Sequence, residues 1–215
     1  MKVAYFAPTI MAIETMPPVE FSRLFNLVEQ VHQHPELDDS QNPLYSIRGG
    51  QQIHLYPNKL NIDVSWLVQL AERACQGYMD LVTKQSGAEE LNLCKPVVTS
   101  IWTIRQNTGD YQEMHTHPGG NISGVIYVSV PDLDESSKPS DCQISFRLPV
   151  TKDISKFVMQ DKWNFKPQAG QAVIFPSHIP HIVYPWSGEG YRTVVSFDAV
   201  LRPKDELLPP ELRSE

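Results

Sequence analysis

The hydrophobic positions of the chain change their period partway along, from helical spacing to the alternation and short runs of β-strands. Between Pro17 and His34 the apolar residues Val19, Leu24, Phe25, Leu27, Val28 and Val31 keep to helical intervals, with Pro18 suited to a first turn and Pro35 ending the segment. A second stripe, Trp66, Leu67, Leu70, Ala74, Tyr78, Leu81 and Val82, follows Asp63, a residue able to cap a helix, and stops near Gly87. Ahead of both, Val3 to Ile13 sets β-branched and aromatic residues around Pro8 and reads as an opening strand with a kink. Residues 35–61, rich in Asp, Asn, Pro, Gly and Gln, predict a long irregular connection with one short strand at Gln52 to Tyr56.

Beyond Pro96 the texture is β throughout. Strands are predicted at Val97 to Ile104, Asn121 to Val130, Cys142 to Leu148, Gln171 to Phe175, His181 to Tyr184 and Arg192 to Val200. Clusters of Gly, Pro, Asn and Asp separate several of them, which is the pattern of an antiparallel sandwich or closed barrel. Pro131 to Asp141 reads as an exposed loop and the charged residues around Pro209 and Pro210 as a tail. No seam in composition divides the 215 residues, so one domain is expected: residues 1–95 contribute a strand and helices, 96–202 a β core and 203–215 the tail.

Charge and cysteine content narrow the class further. Against 25 acidic residues stand 18 basic ones, a formal charge of -7, and no run of Lys and Arg would track a phosphate backbone; nucleic acid is not expected as a partner. Cys75, Cys94 and Cys142 are odd in number and form no paired motif, which fits a reducing compartment, so the chain is read as cytoplasmic. No apolar run reaches the length of a membrane span, and Pro8 and Thr9 argue for a strand over a secretory leader at Val3 to Ile13.

The candidate chemistry lies in the β half. In Glu113-Met-His115-Thr-His117 two imidazoles two residues apart leave an extended backbone on the same face, a spacing that permits chelation. Imidazole binds zinc, copper, iron or nickel, and a third group is needed from elsewhere; His181, beside a later strand, is the best candidate. Arg192 follows in Arg192-Thr-Val-Val-Ser196, where alternation sets Arg192, Val194 and Ser196 on one face. A guanidinium there can pair with a carboxylate and Ser196 can add a donor, so an acid that also chelates a metal, such as 2-oxoglutarate, would satisfy both groups. A lone His-x-His pair is more often a surface feature, and His32 and His34, with the same spacing before Pro35, are read as solvated. His54 has no partner by spacing. The order of His-x-His, a β-rich interval, His and then Arg is what singles out the set around His115.

These residues carry a resemblance to a known family. His115-Thr-His-Pro118, Ser123-Gly-Val-Ile-Tyr127, Phe175-Pro-Ser177, His181 and Arg192-Thr-Val-Val-Ser-Phe197 resemble the 2-oxoglutarate- and iron(II)-dependent oxygenases of a small family with a His-x-His-Pro motif. The likeness extends over nearly the whole chain, including Ala7-Pro-Thr9 and Gly49-Gly50. It implies a double-stranded β-helix, or jelly roll; the N-terminal helices are expected on the barrel's outer face or at a homodimer interface. It also implies Fe(II) on His115, His117 and His181, 2-oxoglutarate on Arg192, O2 as oxidant, and hydroxylation of a small molecule or side chain with release of succinate and CO2. Tyr127 is a candidate co-substrate contact, with a core aromatic as its other reading. The wider superfamily uses two histidines and a carboxylate, whereas His117 holds the position expected for the carboxylate. Glu113 and Asp198 therefore stay open as alternative ligands, and His178 is read as a rim or packing residue. Two further readings are kept: a three-histidine cupin-type dioxygenase that does not use 2-oxoglutarate, and a non-catalytic metal- or carboxylate-binding module.

Overall fold

The computed structural model describes residues 10–57, 62–133, 138–147 and 162–204. In chain order the elements are β1 (Ala12–Thr15), α1 (Pro18–Val31), β2 (Ile47–Arg48), β3 (Gln51–Tyr56), α2 (Ser65–Ser86), β4 (Cys94–Gln106), β5 (Tyr111–His115) and β6 (Ile122–Ser129). They continue with β7 (Asp132–Leu133), β8 (Ile144–Arg147), β9 (Lys162–Phe165), β10 (Gln171–Pro176), β11 (His181–Val183), β12 (Gly188–Glu189) and β13 (Arg192–Pro203).

Both helices form where the apolar stripes predict. Pro18 occupies the first turn of α1, where a missing N–H costs nothing, and Leu24, Leu27, Val28 and Val31 are buried. Asp63 is not the cap of α2: Val64 holds the N-cap without a side-chain cap, and Asp63, one residue earlier, accepts the Ser65 N–H on its Oδ1 at 2.9 Å, while Gly87 closes the helix in the left-handed conformation that glycine adopts without penalty. The connection between the helices holds more structure than its composition suggests, with β2 and a short 3-10 turn at Pro35–Leu37 beside the expected β3. The opening strand is found only at β1; Val3 to Thr9, much of the loop after Pro131 and the tail beyond Lys204 lie outside the described residues.

Two antiparallel sheets make the jelly roll. The larger has strand order β1-β10-β6-β13-β4-β3 and the smaller β2-β5-β11-β8-β9. The central strands of the larger sheet are apolar almost without alternation, because both of their faces are covered. Ile122, Ile126, Ile174, Val195 and Phe197 point to one side and pack with Leu24, Val28, Leu67, Ala71 and Cys75 of the helices. Val125, Tyr127, Val173, Phe175 and Val194 point to the other and pack with Ile144, Phe146 and Val183 of the smaller sheet. The helices thus lie on the barrel's outer face, leaving its interior for a site.

One expectation is corrected here. His32 is not solvated: it is 7% exposed at the end of α1, its ring nitrogens within hydrogen-bonding distance of Gln51 Oε1 at 3.1 Å and Thr103 Oγ1 at 3.0 Å. Gln51 of β3 and Thr103 of β4 enclose it, a contact that spacing does not reveal. His34, paired with Glu36 at 2.9 Å, is exposed as expected.

Burial, assisted by the nearby Arg105 cation, pushes the His32 pKa down from 6.5 to about 4. The folded state therefore holds this ring neutral, while the unfolded chain takes up a proton below about pH 6.5. The stability that follows is fully present above pH 6.5 and is lost as pH falls towards 4, on the order of 3 kcal/mol over that window. Melting curves of the wild type and His32→Gln at pH 7.5 and pH 4.5 should show the wild type losing more stability on acidification than the variant. Equal losses would contradict the assignment.

Candidate metal and co-substrate site

Strand pairing brings the candidate ligands together. β11 runs antiparallel to β5 with His181 directly opposite His115, which converts a distant sequence position into a cross-strand neighbour. His117 lies just beyond the end of β5, its backbone N–H donating to the Ser177 carbonyl at 2.9 Å, so a turn, not strand alternation, aims its ring. The ligating atoms of His115, His117 and His181 all lie within 4.8 Å of one another.

Hydrogen bonds fix which ring nitrogens are free. His115 Nδ1 lies 2.7 Å from the Glu113 carbonyl oxygen and His181 Nδ1 2.9 Å from that of Ile179. A carbonyl only accepts, so in both rings Nδ1 carries the proton and Nε2 keeps its lone pair. His117 Nδ1 lies 2.8 Å from Asp198 Oδ1, which sets the same tautomer. Burial lowers the His115 pKa to about 4 and holds His181 well below its ordinary value, with the neighbouring imidazoles adding to the effect. Both rings are therefore neutral at physiological pH, as metal ligands must be. Phe175 and Phe146 wall His181 on one side, with ring centroids 5.0 and 5.5 Å away, and Trp102 stacks on His117 at 5.7 Å.

Arg192 shares a cleft with the three histidines and with Ser196, as alternation along β13 predicts. It is 1% exposed. Its Nη1 donates to Gln106 Oε1 at 2.6 Å, while Arg192 Nε, the Tyr127 hydroxyl and Gln106 Nε2 are buried without a hydrogen-bond partner. No acidic partner faces the guanidinium among the described residues. A buried cation with unused donors is costly unless an anion arrives to meet it, which is the need that a dicarboxylic co-substrate fulfils. Tyr127 is fully buried in the core, as the second of its two readings expects, with its ring 5.6 Å from the Arg192 guanidinium, and burial raises the pKa of its hydroxyl so that it stays neutral.

The alternative ligands do not converge. Glu113 points outward into a paired contact with Arg48, at 3.1 Å to Nε and 2.8 Å to Nη2. Asp198 sits behind His117 on the Nδ1 side, and His178 is exposed. Beside the histidines an open cavity of about 290 Å³ is lined by Tyr45, His54, Trp102 and Gln112, with the Tyr45 hydroxyl 2.8 Å from His54 Nε2. Sequence reasoning did not find Gln106, Trp102 or the Tyr45–His54 pair. Gln106 stands directly opposite Arg192 across β4 and β13, a register no spacing reveals.

Residues 100–198 match the family described as "Putative 2OG-Fe(II) oxygenase". Over that stretch the chain is similar to the 2OG-Fe(II) oxygenases. No curated relative matches the sequence, but solved oxygenase structures share the fold. A prolyl-4-hydroxylase from Pseudomonas putida aligns at 16% identity over 91% of this chain and 94% of its own, with a TM-score of 0.54. A prolyl hydroxylase from Trichoplax adhaerens, in complex with a hypoxia inducible factor peptide fragment, aligns at 12% over 88% and 82%, with a TM-score of 0.59. The carbocyclase SnoK from nogalamycin biosynthesis, which is dependent on alpha-ketoglutarate, aligns at 12% over 97% and 90%, with a TM-score of 0.58. The oxygenase family works with Fe(II), 2-oxoglutarate and O2, and the donor set fits: three clustered imidazoles for the metal and a buried guanidinium without an acidic partner among the described residues for the acid.

Titration with Co(II) as a probe metal should show at least a hundredfold loss of affinity in His115→Ala and in His181→Ala. Glu113→Gln should stay within about threefold of the wild type, because Arg48 already holds that carboxylate away from the rings. Loss of binding in Glu113→Gln would show that this carboxylate moves into the site.

Proposed function

We propose that this oxygenase holds iron through Nε2 of His115, His117 and His181 and receives the far carboxylate of 2-oxoglutarate on Arg192, with Tyr127 and Ser196 as further donors. The observation that carries this reading is the pairing of three converging lone pairs with a buried, unneutralised guanidinium in one cleft. Bound iron supplies O2 activation coupled to the conversion of 2-oxoglutarate to succinate and CO2, with the second oxygen atom passing to the substrate as a hydroxyl group. The chain's own part is placement and exclusion of water. The carbonyls of Glu113 and Ile179 keep two rings in the metal-binding tautomer, Gln106 holds the guanidinium in orientation, and Phe146 and Phe175 form a dry wall behind His181.

The open cavity past Trp102 is the approach for the substrate, which we take to be a small molecule or a side chain. We read residues 1–95 and 96–202 as one domain, since β1 and β3 from the first part complete the larger sheet formed by the second. The three cysteines are free thiols, which supports a reducing, cytoplasmic setting, and no helix among the described residues is long and apolar enough to cross a membrane.

Anaerobic addition of Fe(II) and 2-oxoglutarate should give a visible charge-transfer band in the wild type and raise the melting temperature. Arg192→Met should weaken 2-oxoglutarate binding tenfold or more while leaving the ligand-free protein within about 1 kcal/mol of wild-type stability, because it removes a buried cation without an acidic partner. A variant that binds 2-oxoglutarate as tightly as the wild type would remove Arg192 from the proposal.

A further inference from the structure

Three neutral imidazoles leave a divalent ion with its full charge, one unit more positive than the two-histidine, one-carboxylate arrangement of the wider superfamily. The chain does carry a carboxylate close by, one bond further out. Asp198 Oδ1 lies 2.8 Å from His117 Nδ1, and the two side chains are only 16% and 11% exposed. The other two rings are held by backbone carbonyls, which are dipoles and not charges. His117, at the position where the superfamily has its carboxylate, is the one ring backed by an anion.

The surroundings fix that anion in place. Ser123 Oγ donates to Asp198 Oδ1 at 2.6 Å, and Ser123 and Ser177 hydroxyls are 2.8 Å apart, both buried. Gly120 lets the backbone pass close over the group, since a Cβ there would lie 2.7 Å from Ser177 Oγ and 3.5 Å from Asp198 Cβ. Alternation along β13 sets Asp198 on the inward face of Arg192 and Ser196 while Ala199 packs outward, and the register against β4 shifts just beyond Asp198, skipping Thr99. Two buried hydroxyls and a close backbone approach at Gly120 surround this one carboxylate.

The geometry points to Asp198 as a positioning residue that supplies, through the Nδ1–H of His117, the negative charge which the ligand set itself lacks. It polarises the imidazole, makes Nε2 a stronger donor and fixes the plane of the ring. This inference rests on His117 being a ligand, as proposed above.

The test is a double-substitution cycle read by Co(II) affinity and by the energy of the anaerobic Fe(II)/2-oxoglutarate absorption band. Asp198→Asn preserves shape and can still accept from His117, so melting temperature serves as the control for folding. It should weaken Co(II) binding about 10- to 100-fold and shift the band. In a His117→Asp background, where the ligand brings its own charge and would face Asp198 as a second carboxylate, the same Asp198→Asn change should leave Co(II) affinity unchanged or tighten it. An equal cost in both backgrounds, or no cost in either, would show a merely structural carboxylate and overturn the inference while leaving the ligand set intact. If His117→Ala binds Co(II) like the wild type while His115→Ala does not, the ligand set itself fails and the inference falls with it.

Discussion

The antiparallel pairing of β5 with β11 is the constraint from which the chemistry follows. It sets His181 across from His115, and the carbonyls two residues before each ring accept a hydrogen bond from its Nδ1–H. With that proton committed, each ring has one place left for a lone pair, Nε2, and the site is selective for a cation before any ion arrives. His117 joins from the turn beyond β5 and completes the cluster.

Around this cluster the fold separates two costs. The outer face of the larger sheet is closed by apolar contacts with α1 and α2, which provide the burial that stabilises the domain. The inner face can then hold groups that stabilise nothing by themselves: a fully buried arginine, an unpartnered tyrosine hydroxyl and a glutamine with an unused donor. Such groups are a liability in an empty fold and an asset once a dicarboxylic acid binds, because their desolvation is already complete and the hydrogen bonds to the acid are gained in full.

Much of this was legible in the sequence. The helices were, because their stripes are uninterrupted and Pro18, Pro35 and Gly87 mark their ends. The central strands were, because covering by both a helix layer and a second sheet makes them short apolar runs. The clustering of His115, His117 and His181 near Arg192 was, through spacing and order along the chain. What stayed hidden depends on register and on the third dimension. Gln106 faces Arg192, Trp102 stacks on His117 and Tyr45 meets His54 only after distant strands pair. β9, four residues long, carries too few apolar residues to announce itself. His32 looked solvated because a helix end was expected to face water, whereas its neighbours on β3 and β4 enclose it. Asp198 was visible as a candidate carboxylate, but its place behind the ring and not on the metal is a matter of ångströms.

The most direct test of the central claim is a crystal of the protein loaded anaerobically with Fe(II), measured on both sides of the iron absorption edge. The account predicts one anomalous peak at bonding distance from Nε2 of His115, His117 and His181, with Asp198 in contact with His117 Nδ1 and not with the ion. A peak held by Glu113 or Asp198 in place of any of the three imidazoles, or no ordered iron at that point, would contradict it.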